Sequence, residues 1–118
     1  MEKIVERGLL YDFYGELLTS HQRSVYEEAV FQDMSLSEIA DEFSISRQGV
    51  HDIIKRCDKL LSEYEEKLHL VDKFMKIQEN AKAINLILDE MREIGQHDLL
   101  MKKCEEIRTL SDEMIEEL

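Results

Sequence analysis

The sequence predicts an all-α protein in which an N-terminal helix-turn-helix unit precedes long amphipathic helices that form a helical hairpin. The chain of 118 residues contains no Pro and only four Gly, so residues that interrupt helices are scarce. Its composition, 43% hydrophobic and 36% charged, is sufficient for a buried core. Apolar residues recur every three or four positions along most of the chain, as they do on one face of a helix.

The first part of the chain predicts short helices separated by polar caps. Six of the eight aromatic residues fall within the first 43 positions, so this part has a different composition from the rest. A first helix is predicted over about residues 8–18, and Thr19 or Ser20 is expected to cap a second helix that extends to about residue 32. Ser35 and Glu38 have the spacing of a capping box, which predicts that a third helix starts there.

Residues 35–59 have the spacing of a helix-turn-helix. Ile45 is expected to fill the turn, and Ser46 is expected to cap the second helix. Ser44 occupies the turn position that is commonly Gly, where a positive φ costs a non-Gly residue about 1 kcal/mol. The small and apolar positions that should face inward from the two helices are Ile39, Ala40, Phe43, Val50, Ile53 and Ile54.

The outward face of the second helix has the side chains that a major-groove interface requires. Arg47 can donate two hydrogen bonds to guanine, and Gln48 can pair in the same way with adenine. Lys55, Arg56 and Lys59 are placed to contact phosphates. The predicted DNA-binding residues are Ser46, Arg47, Gln48, His51, Asp52, Lys55, Arg56 and Lys59.

The net charge of −12 opposes this interpretation, because affinity for DNA comes largely from neutralising phosphates. The charge is uneven, however: residues 61–118 carry 8 Lys/Arg and 15 Asp/Glu, whereas residues 35–60 carry 4 and 5. The helix-turn-helix segment is therefore the least acidic part of the chain. Two interpretations stay open, one with direct DNA contact and one in which the motif only supports contact with a protein.

The tail predicts an acidic helical hairpin. Helical spacing continues from Leu60 to Met91, Gly95 is expected to end that helix in a left-handed conformation, and another helix begins near His97 or Asp98. The predicted apolar stripes include Leu88 and Gln78 on the first helix and Cys104 and Leu118 on the second. We expect residues 1–60 and 61–118 to form one compact domain, with the hairpin used for packing or for pairing two copies as a homodimer.

Chemistry other than binding has little support in the sequence. Cys57 and Cys104 lie far apart without a metal-ligand or disulfide pattern, which indicates a reducing, cytoplasmic setting. His51 and Asp52 are adjacent and do not face each other on a helix, and the four His share no ligand spacing. No apolar run is long enough to span a membrane. We therefore expect a soluble protein that is not an enzyme and holds no cofactor or metal.

One segment of the chain resembles part of a known protein family, and the chain as a whole resembles another family. The segment LLTSHQRSVYEEAVFQDMSLSEIADEFSISRQGVHDIIKRCDKLL resembles the −35-binding region of bacterial sigma factors, that is, a helix-turn-helix of the sigma region 4 type, related to winged-helix-like units. The positions that match are Arg23, Tyr26, Ser37, Glu38, Ile39, Ala40, Ser46, Val50 and Arg56. With YDFYGELLTSHQ before the motif and an acidic helical tail after it, the whole chain resembles the YlxM family of bacterial helix-turn-helix proteins.

The YlxM resemblance implies a regulatory role in protein targeting, because family members are usually encoded beside the genes for the signal recognition particle protein and its receptor. The helix-turn-helix residues thus predict a DNA-binding regulatory protein, and the resemblance implies that it takes part in the signal recognition particle pathway. The alternative is an interaction protein whose acidic helical surface contacts the signal recognition particle protein, its receptor or its RNA.

Overall fold

The computed structural model describes residues 2–118, which form six α-helices and no strand. The prediction of an all-α protein is therefore confirmed, and the helix-turn-helix has no β-wing within the described residues. A short 3-10 turn, Gly15–Leu17, follows the first helix. The helices are α1 (Lys3–Tyr14), α2 (Ser20–Val30), α3 (Leu36–Phe43), α4 (Arg47–Leu68), α5 (Leu70–Arg92) and α6 (His97–Glu117).

The chain divides into two compact units, of which the first extends to Val71 and the second covers Asp72–Leu118. The expected division between residues 60 and 61 falls inside α4, which is one continuous helix. Helical spacing alone did not locate the boundary between the two units, because the apolar periodicity continues through it. The helix interruption nearest this boundary is at His69, which follows α4, adopts the left-handed conformation with φ 56° and donates its backbone N–H to the Glu65 carbonyl at 2.9 Å.

Side-chain caps define the starts of α2 and α3. Thr19 caps α2, and its hydroxyl accepts from the Gln22 amide at 3.2 Å while the Gln22 side chain accepts from the Thr19 amide at 3.0 Å. Ser35 and Glu38 form the same reciprocal box on α3, as predicted. The prediction for α1 was wrong in extent: the helix begins at Lys3 and ends at Tyr14, because Gly8 lies in its interior and does not interrupt it.

The core of the first unit is aliphatic and lies where α2, α3 and α4 meet. Val25, Ile39, Ala40 and Val50 are buried there. Half-buried apolar residues pack around them, and these are Ala29, Met34, Leu36, Phe43, Ile45, Ile53 and Ile54. The inward-facing residues predicted from the helix-turn-helix spacing all belong to this cluster.

A polar network joins α1 and α2 to α4. Arg7 donates from Nε to Asp58 Oδ1 at 3.1 Å and from a terminal nitrogen to Oδ2 at 2.5 Å. The Tyr26 hydroxyl donates to the same Asp58 Oδ1 at 2.6 Å, and the Tyr26 ring is fully buried. Burial and this hydrogen bond raise the pKa of Tyr26 far above its ordinary value, so the hydroxyl remains a donor.

A second polar cluster lies around the end of α4 and the first two residues of α5, all of them within the first unit. The Tyr14 hydroxyl donates to Glu65 Oε1 at 2.5 Å and accepts from the Leu70 amide at 3.1 Å. The same Glu65 oxygen accepts from the Val71 amide at 3.0 Å. The first amides of α5, which have no partner within the helix, are satisfied in this way.

The second unit is an antiparallel hairpin of α5 and α6, as predicted. A half-buried residue recurs at positions 73, 77, 80, 84, 87 and 91 of α5 and at 100, 103, 107, 110, 114 and 117 of α6. This alternation of three and four residues is the spacing of a coiled-coil seam. The predicted stripes were partly wrong, because Gln78, Leu88, Cys104 and Leu118 lie exposed beside the seam.

The end of α5 also differs from the sequence prediction. The helix stops at Arg92, and the amides of Glu93 and Ile94 bond to the Glu90 and Met91 carbonyls at 3.1 and 3.2 Å. Gly95 has no positive φ, so its expected role as a left-handed stop was wrong. A tightening of the last turn ends the helix instead.

Two carboxylates meet between α2 and α3. Glu28 is half-buried, and no N–H group or hydroxyl of the described residues donates to its buried Oε2 atom, whereas Glu42 is exposed. A hydrogen bond to the Glu42 carboxyl group, together with desolvation, raises the pKa of Glu28. A pair of this kind is satisfied only when it shares a proton.

We predict that Glu28→Gln stabilises the fold at pH 7. Since the folded-state pKa of Glu28 lies above its unfolded value, the pair stabilises the fold at low pH and this contribution is lost as the pH rises through the raised pKa. The amide of Gln supplies the hydrogen at every pH. Urea unfolding should therefore show a larger free energy of unfolding than wild type at pH 7 and little difference near pH 4. Glu66→Gln, at an exposed position of α4, is the control; an equal gain there would contradict the assignment.

Candidate functional site

The turn between α3 and α4 has the shape that the sequence predicts. Ser44 lies in the left-handed region with φ 56° and ψ 42°, as expected for the position that is commonly Gly. The amides of Ser44 and Ile45 both bond to the Ala40 carbonyl, the second at 3.1 Å. Ile45 packs against the core, so the turn is stabilised both by the hydrogen bonds to Ala40 and by the burial of the Ile45 side chain.

The N-terminus of α4 is fixed by a cap and by a small residue. The Ser46 hydroxyl accepts from the Gly49 amide at 2.9 Å. A Cβ at Gly49 would lie 3.1 Å from that hydroxyl, a tighter contact than side chains normally make. The pair Ser46 and Gly49 therefore allows α4 to begin next to the turn, which places Arg47 and Gln48 in its first turn.

All eight predicted site residues are exposed. They follow one another along the solvent-facing side of α4, while Val50, Ile53 and Ile54 turn toward the core. The structure thus brings the predicted residues together on one helix surface, which we call the α4 surface. Its members are Ser46, Arg47, Gln48, His51, Asp52, Lys55, Arg56 and Lys59.

The first turns of the α4 surface contain a hydrogen bond that orients an amide. Gln48 donates from Nε2 to Asp52 Oδ1 at 2.9 Å. The same Asp52 oxygen lies 3.9 Å from His51 Nδ1. Beside this group, Arg47, Gln48 and His51 line a shallow depression together with Leu36 of α3. Leu36 was not among the predicted site residues.

The α4 surface is more basic than the sequence count suggests. Asp58, which lies in this stretch of α4, faces Arg7 and Tyr26 instead of joining the basic residues. Arg47, Lys55 and Arg56 form no ion pair with any residue between 2 and 118, and Lys59 is 4.0 Å from Glu63 in an exposed pair that contributes little. Four cations therefore face solvent with Asp52 as the one carboxylate among the predicted residues.

The exposed cations and the oriented amide of the α4 surface are suited to binding. Cys57 lies on the inner side of α4, where burial raises its pKa to about 11, so it stays a thiol. Within residues 2–118, no three His, Cys, Asp or Glu side chains gather as a metal site would require. No helix in the described part of the chain combines the length and apolarity needed to cross a bilayer.

Arg7 and Asp58 help to position the site, and sequence reasoning missed both of them. They do not belong to the α4 surface, but they fix the side of α4 that turns away from it. They lie 51 positions apart, and no sequence pattern connects them. A charged residue within the inner half of an amphipathic helix is the one signal that could have indicated Asp58.

Comparison with known proteins agrees with this geometry. A UPF0122 protein of Clostridium kluyveri is 48% identical over 91 residues, which covers 77% of this chain and 82% of that protein. UPF0122 proteins of Bacillus cereus and Bacillus thuringiensis are each 42% identical over 96 residues, covering 81% of this chain and 87% of theirs. The family model described as "Putative helix-turn-helix protein, YlxM / p13 like" matches residues 1–101. The resemblance to the YlxM family inferred from the sequence is confirmed, and the chain belongs to the YlxM/p13-like helix-turn-helix family.

Proposed function

We propose that this protein is a DNA-binding regulatory protein that inserts the N-terminal half of α4 into the major groove. The observation that carries the proposal is the α4 surface, where unpaired cations lie beside an ordered amide on the second helix of a helix-turn-helix. A recognition helix in this fold contacts base edges with its N-terminal residues. The basic α4 surface supplies the local positive charge that the net charge of −12 does not.

Each part of the α4 surface then has a role in DNA binding. Arg47 and Gln48, in the first turn, contact base edges. Lys55, Arg56 and Lys59, further along the helix, pair with phosphates and set the orientation of α4 on the duplex. Ser46 holds the helix start, and His51 and Asp52 lie between the two groups. Base contacts give sequence preference, and phosphate contacts give affinity that depends on salt.

Salt dependence and two substitutions test this assignment. With three phosphate contacts, log affinity should fall with log salt with a slope of about −2.7, which is a roughly 40-fold loss between 50 and 200 mM. Lys55→Ala should reduce the slope by about 0.9 for every sequence. Arg47→Ala should instead relax the preference for one base pair by about 1–3 kcal/mol. Fluorescence anisotropy with a pool of labelled genomic duplexes measures the slope, and sequences selected from that pool measure the preference.

Lys67→Ala is the matched control for the salt measurement, because Lys67 is an exposed cation near the C-terminal end of the same helix. It should leave both affinity and slope unchanged. Absence of binding at low salt would contradict the proposed function, and equal effects of the Lys55 and Lys67 substitutions would contradict the placement of the interface.

The hydrogen bond between Gln48 and Asp52 gives a second prediction. With one amide hydrogen held by Asp52, Gln48 retains a free hydrogen and a free oxygen, the pair that adenine N7 and N6 require. Asp52→Ala should therefore weaken discrimination at the adenine several-fold, about 1 kcal/mol, while it raises affinity for mixed-sequence DNA by removing a negative charge. Asp52→Asn keeps an acceptor without charge and should raise affinity with discrimination intact. Equal discrimination by the Ala variant and wild type would show that Asp52 does not orient Gln48.

A second candidate function rests on the hairpin. Residues 72–118 contain 12 Asp/Glu and 7 Lys/Arg, and most of these side chains are exposed. The resemblance to the YlxM family implies a partner in the signal recognition particle pathway, and an acidic helical surface suits a basic protein surface better than RNA. Glu105 and Glu106 are exposed and lie side by side on α6.

Charge reversal distinguishes this candidate from DNA binding. Glu105→Lys combined with Glu106→Lys should abolish a complex with the signal recognition particle protein or its receptor, because like charges across an interface repel. Arg47→Ala should leave that complex intact. A pull-down with purified components measures both, and undiminished binding by the reversed hairpin would exclude the second candidate.

A further inference from the structure

The hairpin of α5 and α6 has two unlike sides. The ion pairs and hydrogen bonds that cross between the helices lie on one side of the seam. Lys103 Nζ is 2.7 Å from Glu90, Asn80 Nδ2 is 3.1 Å from Glu113, and Lys76 Nζ is 3.9 Å from Glu117. These three contacts share one antiparallel register and close that side with polar groups.

The other side of the seam carries no carboxylate. It consists of positions 74, 78, 81, 85, 88 and 92 on α5. On α6 it consists of positions 101, 104, 108, 111, 115 and 118. None of these twelve is Asp or Glu, although residues 72–118 contain 12 such residues, and all twelve are exposed or half-buried. We call this side the acid-free face.

The acid-free face exposes large apolar side chains. Leu88 is 44% exposed, Met101 52% and Ile115 65%. Ala81 and Ser111, two small residues, lie near its middle and are half-buried. Within 72–118 no described residue is fully buried, so the hairpin has no enclosed core of its own. A second apolar surface laid on this face would supply one.

The charges on and beside the acid-free face identify its occupant. The face carries Arg92 and Arg108, which oppose a basic partner. The positions that border it carry three carboxylates, Asp89, Glu105 and Asp112, and one cation, Lys82, so the border as a whole opposes an acidic partner. A surface with cations within it and carboxylates at its rim is complementary to its own copy turned by a two-fold axis, because each protomer's Arg then meets the other's rim.

We propose that the acid-free face binds the acid-free face of a second copy of this chain. The two hairpins form a four-helix bundle in which Leu88, Met101 and Ile115 enter a shared core. Ala81 and Ser111 permit close approach of the helices near the middle of the interface. Arg92, now in a weak exposed pair 3.9 Å from Asp89, is available to exchange that contact for an acidic residue of the other protomer.

Sedimentation of the 118-residue chain tests this proposal without DNA, so its outcome is independent of the proposed function. Wild type should sediment as a dimer, and Leu88→Glu should weaken association at least about 100-fold by placing a carboxylate on each copy of the face. Leu86→Glu is the matched control: Leu86 is 65% exposed, lies on the same helix and points away from the acid-free face, so this variant should remain dimeric. Ile115→Glu places the same charge on α6 and should give the result of Leu88→Glu.

Circular dichroism of each variant verifies that the helices remain formed. A wild-type monomer at about 100 µM would overturn the proposal, because the dissociation constant of the dimer would then exceed about 100 µM. Dimerisation that survives Leu88→Glu and Ile115→Glu, or that is lost equally with Leu86→Glu, would overturn it as well.

Discussion

The position of α4 depends on the carboxylate of Asp58, which binds residues from two other helices at once. Arg7 of α1 approaches both oxygens, and Tyr26 of α2 donates to one of them from a fully buried ring. The Arg7 guanidinium and the Tyr26 hydroxyl both bind on one side of α4. The rotation of the helix about its axis and its position along that axis are therefore both restricted. The two-pronged pairing of Arg7 with Asp58 adds a directional constraint to the one that the packed aliphatic core already places on α4. The orientation of the α4 surface follows from this constraint.

Asp58 also explains how an acidic protein maintains a basic surface. A carboxylate in the middle of a recognition helix would normally weaken attraction for phosphates. Here it is paired with Arg7 on the inner side of the helix, so its charge is compensated within the fold. The cations on the outer side keep their full effect at short range, and the Debye length of about 8–10 Å at physiological salt limits repulsion from carboxylates farther away.

Local chemistry made much of this fold predictable. Ser35 with Glu38, Ser44 and Ser46 each determine the backbone within a few residues of themselves, so the helix-turn-helix and its exposed residues could be assigned from spacing alone. The pairing of Arg7 with Asp58 could not, because it joins residues 51 positions apart that no pattern connects. The break at His69 was hidden for a related reason: it depends on Tyr14 and Glu65, while the apolar spacing passes through it unchanged.

The hairpin shows a different limit of sequence reasoning. A helix with apolar residues on more than one side has several stripes of similar quality, and periodicity cannot decide which one faces its neighbour. The seam takes Ile84 and Ile107, and it leaves Leu88 and Cys104 beside it. Polar residues settle the choice: Asn80 and Lys103 find partners on the opposite helix only in this phase. The carboxylates of the hairpin lie where a Lys side chain or solvent can approach them, and the acid-free face is the side that carries none of them.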